Sequence, residues 1–151
     1  MHYRTATLSD LDRIVEAWVS LADHQREHGS LVDPDGSEAA MHERLGRRVV
    51  DESVIIAVEE GELLGFVCVQ CVDNPRRRDN TIGFIEYLFV EPAVRERGIG
   101  GELLERGEAR LYDKGAKVIE LDVFESNTDS VAFYRRRGYE VSRFRMRKWR
   151  Q

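Results

Sequence analysis

Two arginines and three glycines form the densest chemical pattern in the chain: Arg95-x-Arg97-Gly98-Ile99-Gly100-Gly101. Glycines at a helix start let backbone N–H groups approach a ligand without interference from a Cβ. The helix N-terminus adds unsatisfied donors and a partial positive charge. Together they make an anion site, and phosphate is its usual occupant. No Gly-Lys-Ser/Thr follows Gly98, which argues against an ATPase loop, and Leu103 stands where the dinucleotide fingerprint needs its third glycine. Upstream, Glu86 interrupts the apolar run Phe84-Ile85-Glu86-Tyr87-Leu88-Phe89-Val90. A carboxylate in such a strand either faces a cleft or pairs with an arginine. Strict alternation puts Glu86 on the face of Leu88 and Val90, a parity that a bulge would change.

The elements around these residues follow from periodicity. The run ending at Val90 is a strand, stopped by Pro92. Ile99, Leu103, Leu104 and Leu111 recur at helical spacing, and Gly115 closes that helix. Before them come a short strand at 3–7, a helix through Leu11, Ile14, Val15, Trp18 and Leu21 capped by Ser9 or Asp10, and a polar loop at 28–36. A second helix capped by Ser37 then carries Met41, Leu45 and Val49. A strand at 53–58 turns at Glu60-Gly61 into a strand at 63–72, and 73–80 is a charged loop. After the glycine-rich helix, 118–124 reads as a strand, 127–137 as a helix ended by Gly138, and 139–146 as the last strand. The predicted order is β-α-α-β-β-β-α-β-α-β, an α/β chain with a mixed central sheet flanked by helices, in a single domain spanning 1–151.

Arg95-x-x-Gly98-x-Gly100 resembles the Arg/Gln-x-x-Gly-x-Gly/Ala signature of the GNAT superfamily of N-acetyltransferases. Asn127-x-x-Ser130-x-x-Phe133-Tyr134-x-x-x-Gly138-Tyr139 is similar to the same family's Asn-x-x-Ala/Ser-x-x-Phe-Tyr-x-x-x-Gly-Phe segment. The two motifs stand in the family's order, and the order of elements matches along nearly the full length. The resemblance implies acetyl transfer from acetyl-CoA to a primary amine by direct attack in a ternary complex, with no metal. It implies that the backbone from Arg97 through Gly98, Ile99, Gly100 and Gly101, with the Arg95 and Arg97 side chains, holds the pyrophosphate. Leu88, Phe89 and Val90 would pair through their backbone with the pantetheine amides where two parallel strands splay. Asn127 would position the pantetheine arm while also capping its helix, and an arginine of the 135–137 run would reach the 3′-phosphate or complement the dipole of its own helix.

Acetyl transfer needs an amine freed of its proton and a leaving thiolate helped by a proton donor. Tyr134 resembles the family's acid, and a phenol with a pKa of about 10 is protonated at neutral pH. Glu86 is the first choice of base, directly or through water, with Asp122 and Glu125 behind it and Tyr87 lining the cleft. A cleft holding Glu86 and the acids of the 28–36 loop suits a cationic acceptor amine, either a small molecule or a protein. Two other readings compete: an acyl-CoA sensor that transfers nothing, and an adaptor that binds RNA or protein through the arginine-rich C-terminal end.

Composition narrows the class further. The chain has 151 residues, 42% apolar and 34% charged, which fits one globular domain with a real core. A net charge of −5 gives no general case for nucleic acid or membrane as partner, and the expected location is cytoplasmic. A homodimer is the expected assembly. Cys68 and Cys71 have redox spacing, but on a strand they face opposite sides and read as core residues. His24-Gln25-Arg26-Glu27-His28 has the form of a zinc-peptidase motif yet sits at a solvated helix end beside the expected acceptor wall. Arg143, Arg145 and Arg147 alternate with Phe144 and Met146, as on a strand with one solvated face.

Overall fold

Apolar β-branched runs joined by tight connections build the centre of the computed structural model, which describes residues 1–73, 75–76 and 81–151. Among these, five strands form one sheet in the order β1-β2-β3-β4-β5: β1 (His2–Thr5), β2 (Val54–Glu59), β3 (Glu62–Asp73), β4 (Thr81–Val90) and β5 (Val118–Leu121). The first four pair antiparallel and β5 lies parallel to β4. The turn between β2 and β3 has positive φ at both Glu60 and Gly61, the two-residue turn whose twist suits a hairpin. The charged loop expected at 73–80 falls largely outside the described residues.

Helices α1 (Leu11–Arg26) and α2 (Pro34–Val50) cover one face of the sheet; α3 (Ile99–Asp113) and α4 (Thr128–Arg135) belong to the other. Ile14, Trp18, Met41, Leu45, Phe66 and Phe89 share the first core, and Val67, Val69, Ile85, Leu103, Leu104 and Leu111 share the second. Gly107 lets α3 lie close on β3, since a Cβ there would stand 3.1 Å from Val67 Cγ2. Helix α1 is anchored by Asp10, which is 1% exposed. Its carboxylate accepts from the Thr7 N–H at 2.8 Å, from Arg4 at 2.7 and 2.9 Å and from Arg13 at 2.7 Å.

Three expectations are corrected. Helix α2 starts at Pro34 with Asp33 as its N-cap residue, not at a cap on Ser37. Proline lacks an N–H and has its φ preset, so it opens a helix readily, and Gly36 is absorbed into the first turn. The strand expected at 118–124 pairs only as far as Leu121. The last strand expected at 139–146 does not form, so the sheet has five described strands where six were predicted. The tail runs without a ladder partner, with Phe144 82% and Met146 92% exposed. Alternation alone does not make a strand: without a neighbour its N–H and C=O groups remain with water.

Candidate active site

The parallel ladder between β4 and β5 joins Ile82 through Ile85 to Val118 through Leu121 and stops there. Strand β4 continues to Val90, paired on its other side with β3. From Glu86 onward the β5-side edge of β4 therefore has no strand against it among the described residues. Two parallel strands that part in this way leave a groove floored by free backbone groups, the place where an extended ligand adds as another strand would. Leu88, Phe89 and Val90 lie along this edge.

At the far end of the groove, Pro92–Val94 make a tight turn and the chain enters α3. Gly98 is the helix N-cap residue with φ 81°, a conformation suited to glycine, and a Cβ there would meet nothing within 4 Å. The N–H groups of the first turn of α3, from Ile99 through Gly101, thus open toward the groove's end. Gly100 sits under the Phe133 ring, 3.6 Å from where its Cβ would be, so the two family-like motifs touch here.

The arginines divide unevenly. Arg97 is paired with Glu59 at 2.8 Å, and Arg95 Nε donates to the Val90 carbonyl at 3.1 Å, so both expected phosphate ligands have protein partners. Arg137 stands instead over the start of α3. Its guanidinium lies 3.8 Å over the Phe133 ring and donates to the Phe133 carbonyl at 3.0 Å. It comes within 2.9 Å of a Cβ built on Gly101. Sequence offered Arg137 only as one of a run of three; its distance of four residues from Phe133 on one helix face was the available signal.

Asn127 is the N-cap residue of α4, its Oδ1 accepting from the Ser130 N–H at 3.3 Å, which leaves its amide hydrogens for another partner. Further along α4, Tyr134 lies half-buried, edge-on to Phe133 and to Tyr139 at ring separations of 5.1 and 5.7 Å. Burial pushes its pKa up to about 12. Among the described residues its hydroxyl makes no hydrogen bond. Tyr139, by contrast, donates to Glu108 at 2.7 Å, and burial followed by that carboxylate raises its pKa too.

Glu86 sits at a bulge, because Cys68 pairs with Tyr87 while Val69 pairs with Ile85. The extra residue breaks alternation, so Glu86 turns to the α1–α2 face, whereas Leu88 and Val90 pack toward α3. Its side chain is 6% exposed, and both oxygens are taken by α2: Oε1 by Arg48 at 2.6 Å and Oε2 by Arg44 at 2.7 Å. An unpaired base is not what β4 presents. A proton moved onto this carboxylate would have to displace a guanidinium. Cys68 approaches Oε1 at 3.9 Å, and burial, then the adjacent Glu86 charge, pushes its thiol pKa well up. Cys71 packs on the other face, so the two thiols are separated by the sheet. On the α1–α2 connection, His28 Nδ1 meets Ser126 Oγ at 2.9 Å, bringing the turn after α1 against the loop after β5.

A mixed sheet whose parallel pair stops at Ile85 while β4 runs on to Val90, followed by a glycine-rich helix start, is the frame of this site. Residues 16–139 match the acetyltransferase (GNAT) family, and the chain belongs to it. By enzyme class it is an acetyl-CoA-dependent acyltransferase. An aminoalkylphosphonate N-acetyltransferase of Salmonella typhimurium is 28% identical over 96% of this chain and 88% of its own length. An uncharacterized N-acetyltransferase of Methanocaldococcus jannaschii is 29% identical over 60% of this chain, which spans 40% of that longer protein. In structure, the PaiA N-acetyltransferase of Thermoplasma acidophilum, solved in complex with coenzyme A, superposes with a TM-score of 0.75 at 18% identity. That match covers 93% of this chain and 90% of the other.

Proposed function

We propose that this chain transfers acetyl from acetyl-CoA to a primary amine that also carries an anionic group, by direct attack within a ternary complex. One observation carries the reading: β4 runs on to Val90 after its ladder with β5 ends at Ile85, and the groove so opened leads to the start of α3. The residues fit the donor. The Leu88, Phe89 and Val90 backbone edge suits the pantetheine amides, the N–H groups from Ile99 through Gly101 with Arg137 suit the pyrophosphate, and Asn127 has amide hydrogens to offer the arm. Tyr134 is protonated throughout the working pH range and is the donor of a proton to the leaving thiolate.

The acceptor's class follows from the charge beside the splay. The cationic amine expected from sequence needed an uncompensated Glu86. Two guanidiniums meet that single carboxylate, and Arg44 remains nearly half exposed. The balance at this point is one positive charge, which suits a carboxylate, phosphate or phosphonate on the acceptor. The Salmonella relative's named substrate class likewise joins an amine to a phosphonate. In this reading Glu86 is a positioning residue that holds Arg44 and Arg48, and the ammonium's proton passes to water.

The test is calorimetric binding of acetyl-CoA to wild type and Gly100→Trp, with CoA release followed over amines with and without an anionic group. The melting temperature of the variant is recorded alongside. Binding lost in a folded variant, with faster release for the anionic amines, is the expected result. Glu86→Gln should then raise the acceptor KM more than it lowers kcat and leave the shape of the pH profile intact. Binding without release for any amine would favour the sensor reading, and polyamines outcompeting the anionic amines would overturn the acceptor class.

A further inference from the structure

Two ion pairs beside the groove differ in how firmly they are held. Glu86 is buried and gripped by two arginines of α2, so that clamp is a fixture. Arg97 and Glu59 are 43% and 35% exposed and share one hydrogen bond, Nη2 to Oε2 at 2.8 Å. An exposed pair of this kind contributes little, so little holds Arg97 to this partner. Arg97 directly precedes Gly98, the N-cap residue of α3, and so stands beside the N–H groups to which the proposed function gives the donor's phosphates. The other two arginines at this end rest on carbonyls, Arg95 on Val90 and Arg137 on Phe133. Of the three, Arg97 is the one that must leave a carboxylate to reach a phosphate.

The carboxylate end of the pair is the better fixed. Glu59 closes β2 and pairs in register with Glu62, with Glu60 in the turn between them. Three carboxylates thus gather on one hairpin, two of them directly opposite each other, an arrangement that like charges make unfavourable. Among the described residues, Arg97 is the side chain that pairs with this cluster. The turn is pinned through Arg13, which binds Asp10 at 2.7 Å and donates to the Gly61 carbonyl. The hairpin therefore keeps its carboxylates in place, and Arg97 is the partner that can swing.

Resting on the donor site described under the proposed function, we propose that Glu59 competes with the phosphates of acetyl-CoA for Arg97. Without donor, the guanidinium lies on the hairpin. A phosphate offers the same fork of oxygens as a carboxylate and more charge, so it draws Arg97 to the start of α3. The hairpin acids then lose their counter-charge, and that loss opposes every bound donor. When CoA is ready to leave, Glu59 takes the arginine back. Glu59 in this way sets how loosely the product is held, without touching the reacting atoms.

Calorimetric titration of CoA into wild type, Glu59→Gln, Arg97→Gln and the double variant tests the exchange. Glu59→Gln should bind CoA about two- to fivefold more tightly, the range that an exposed ion pair supports. Stopped-flow dissociation should show the gain as slower release. In the Arg97→Gln background the same change should leave the Kd where it was. Titration with 3′-dephospho-CoA assigns the phosphate: a gain that persists puts Arg97 on the pyrophosphate, a gain that vanishes puts it on the 3′-phosphate, and either supports the exchange. An unchanged or weaker Kd in Glu59→Gln overturns it, as does an equal gain with and without Arg97. A wild type that binds no CoA is a separate result, which removes the donor site itself and this inference with it.

Discussion

Replacing Tyr134 by phenylalanine separates chemistry from packing unusually cleanly. The ring contacts to Phe133 and Tyr139 survive, and the lost hydroxyl has no hydrogen-bond partner among the described residues. Stability should therefore change by less than about 0.5 kcal/mol. Under the proposed assignment the variant lacks the proton donor to the thiolate, and a positioned general acid contributes about 10²–10⁴-fold. A hundredfold loss of kcat, about 2.7 kcal/mol, is the expected minimum. Donor KM should stay close to wild type, because the groove floor and helix start are untouched. The pH dependence adds a sharper constraint. With the pKa near 12, the hydroxyl keeps its proton across any ordinary assay, so the ratio of wild-type to variant kcat should stay flat from about pH 6 to 10. Steady-state CoA release across that range is the assay. A variant within about threefold of wild type, or a ratio that collapses between about pH 8 and 10, refutes the assignment of Tyr134 as the acid.

Gly65→Ala should destabilise the chain by about 3 kcal/mol, the upper end of overpacking costs, because its Cβ would lie 2.4 Å from the Phe89 carbonyl oxygen. Thermal denaturation should show a fall of about 6–12 °C, and an unchanged Tm would mean β3 and β4 can part freely. Asp10→Asn should cost about 2 kcal/mol, less than a fully buried ion pair, since water reaches Arg4 and Arg13. The hydrogen bond from Arg4, and then the Thr7 N–H and Arg13, hold the Asp10 carboxyl well below the usual range against the opposing effect of burial. Its contribution is therefore complete above the unfolded value of about 4 and is lost as pH falls toward the native one. The stability gap between wild type and variant should narrow below about pH 4 in urea titrations; a gap constant into stronger acid would contradict this.

Period and punctuation carried most of the architecture, because long amphipathic helices and apolar strands bury whichever face the pattern marks. Glu60-Gly61, Gly98 and the strand before Pro92 were legible for that reason. The bulge at Glu86 was not, because a bulge is a mismatch between two strands and neither strand's pattern contains it. The clamp on Glu86 was hidden similarly: Arg44 and Arg48 lie about forty residues upstream on another element. Arg97 was read as a ligand for phosphate, and its pairing with Glu59 depends on a hairpin that closes 38 residues away. In the tail the alternation pointed to a strand that does not form, because a ladder also needs a neighbouring strand and the pattern of one segment does not contain it.

The weak attachment of β5 and α4 also sets how the molecule comes apart. Four ladder pairs, the partly buried rings of Phe133, Tyr134 and Tyr139 and the Tyr139–Glu108 hydrogen bond hold the segment that carries Asn127 and Tyr134, while Trp18 and its neighbours sit in a core on the opposite face. Such a segment opens locally at a free energy below that of global unfolding. In the proposed reading this makes the donor side of the groove a separate cooperative unit, expected to open while the β2–β4 meander stays intact. Heat would extinguish turnover while the Trp18 environment still reports a folded protein.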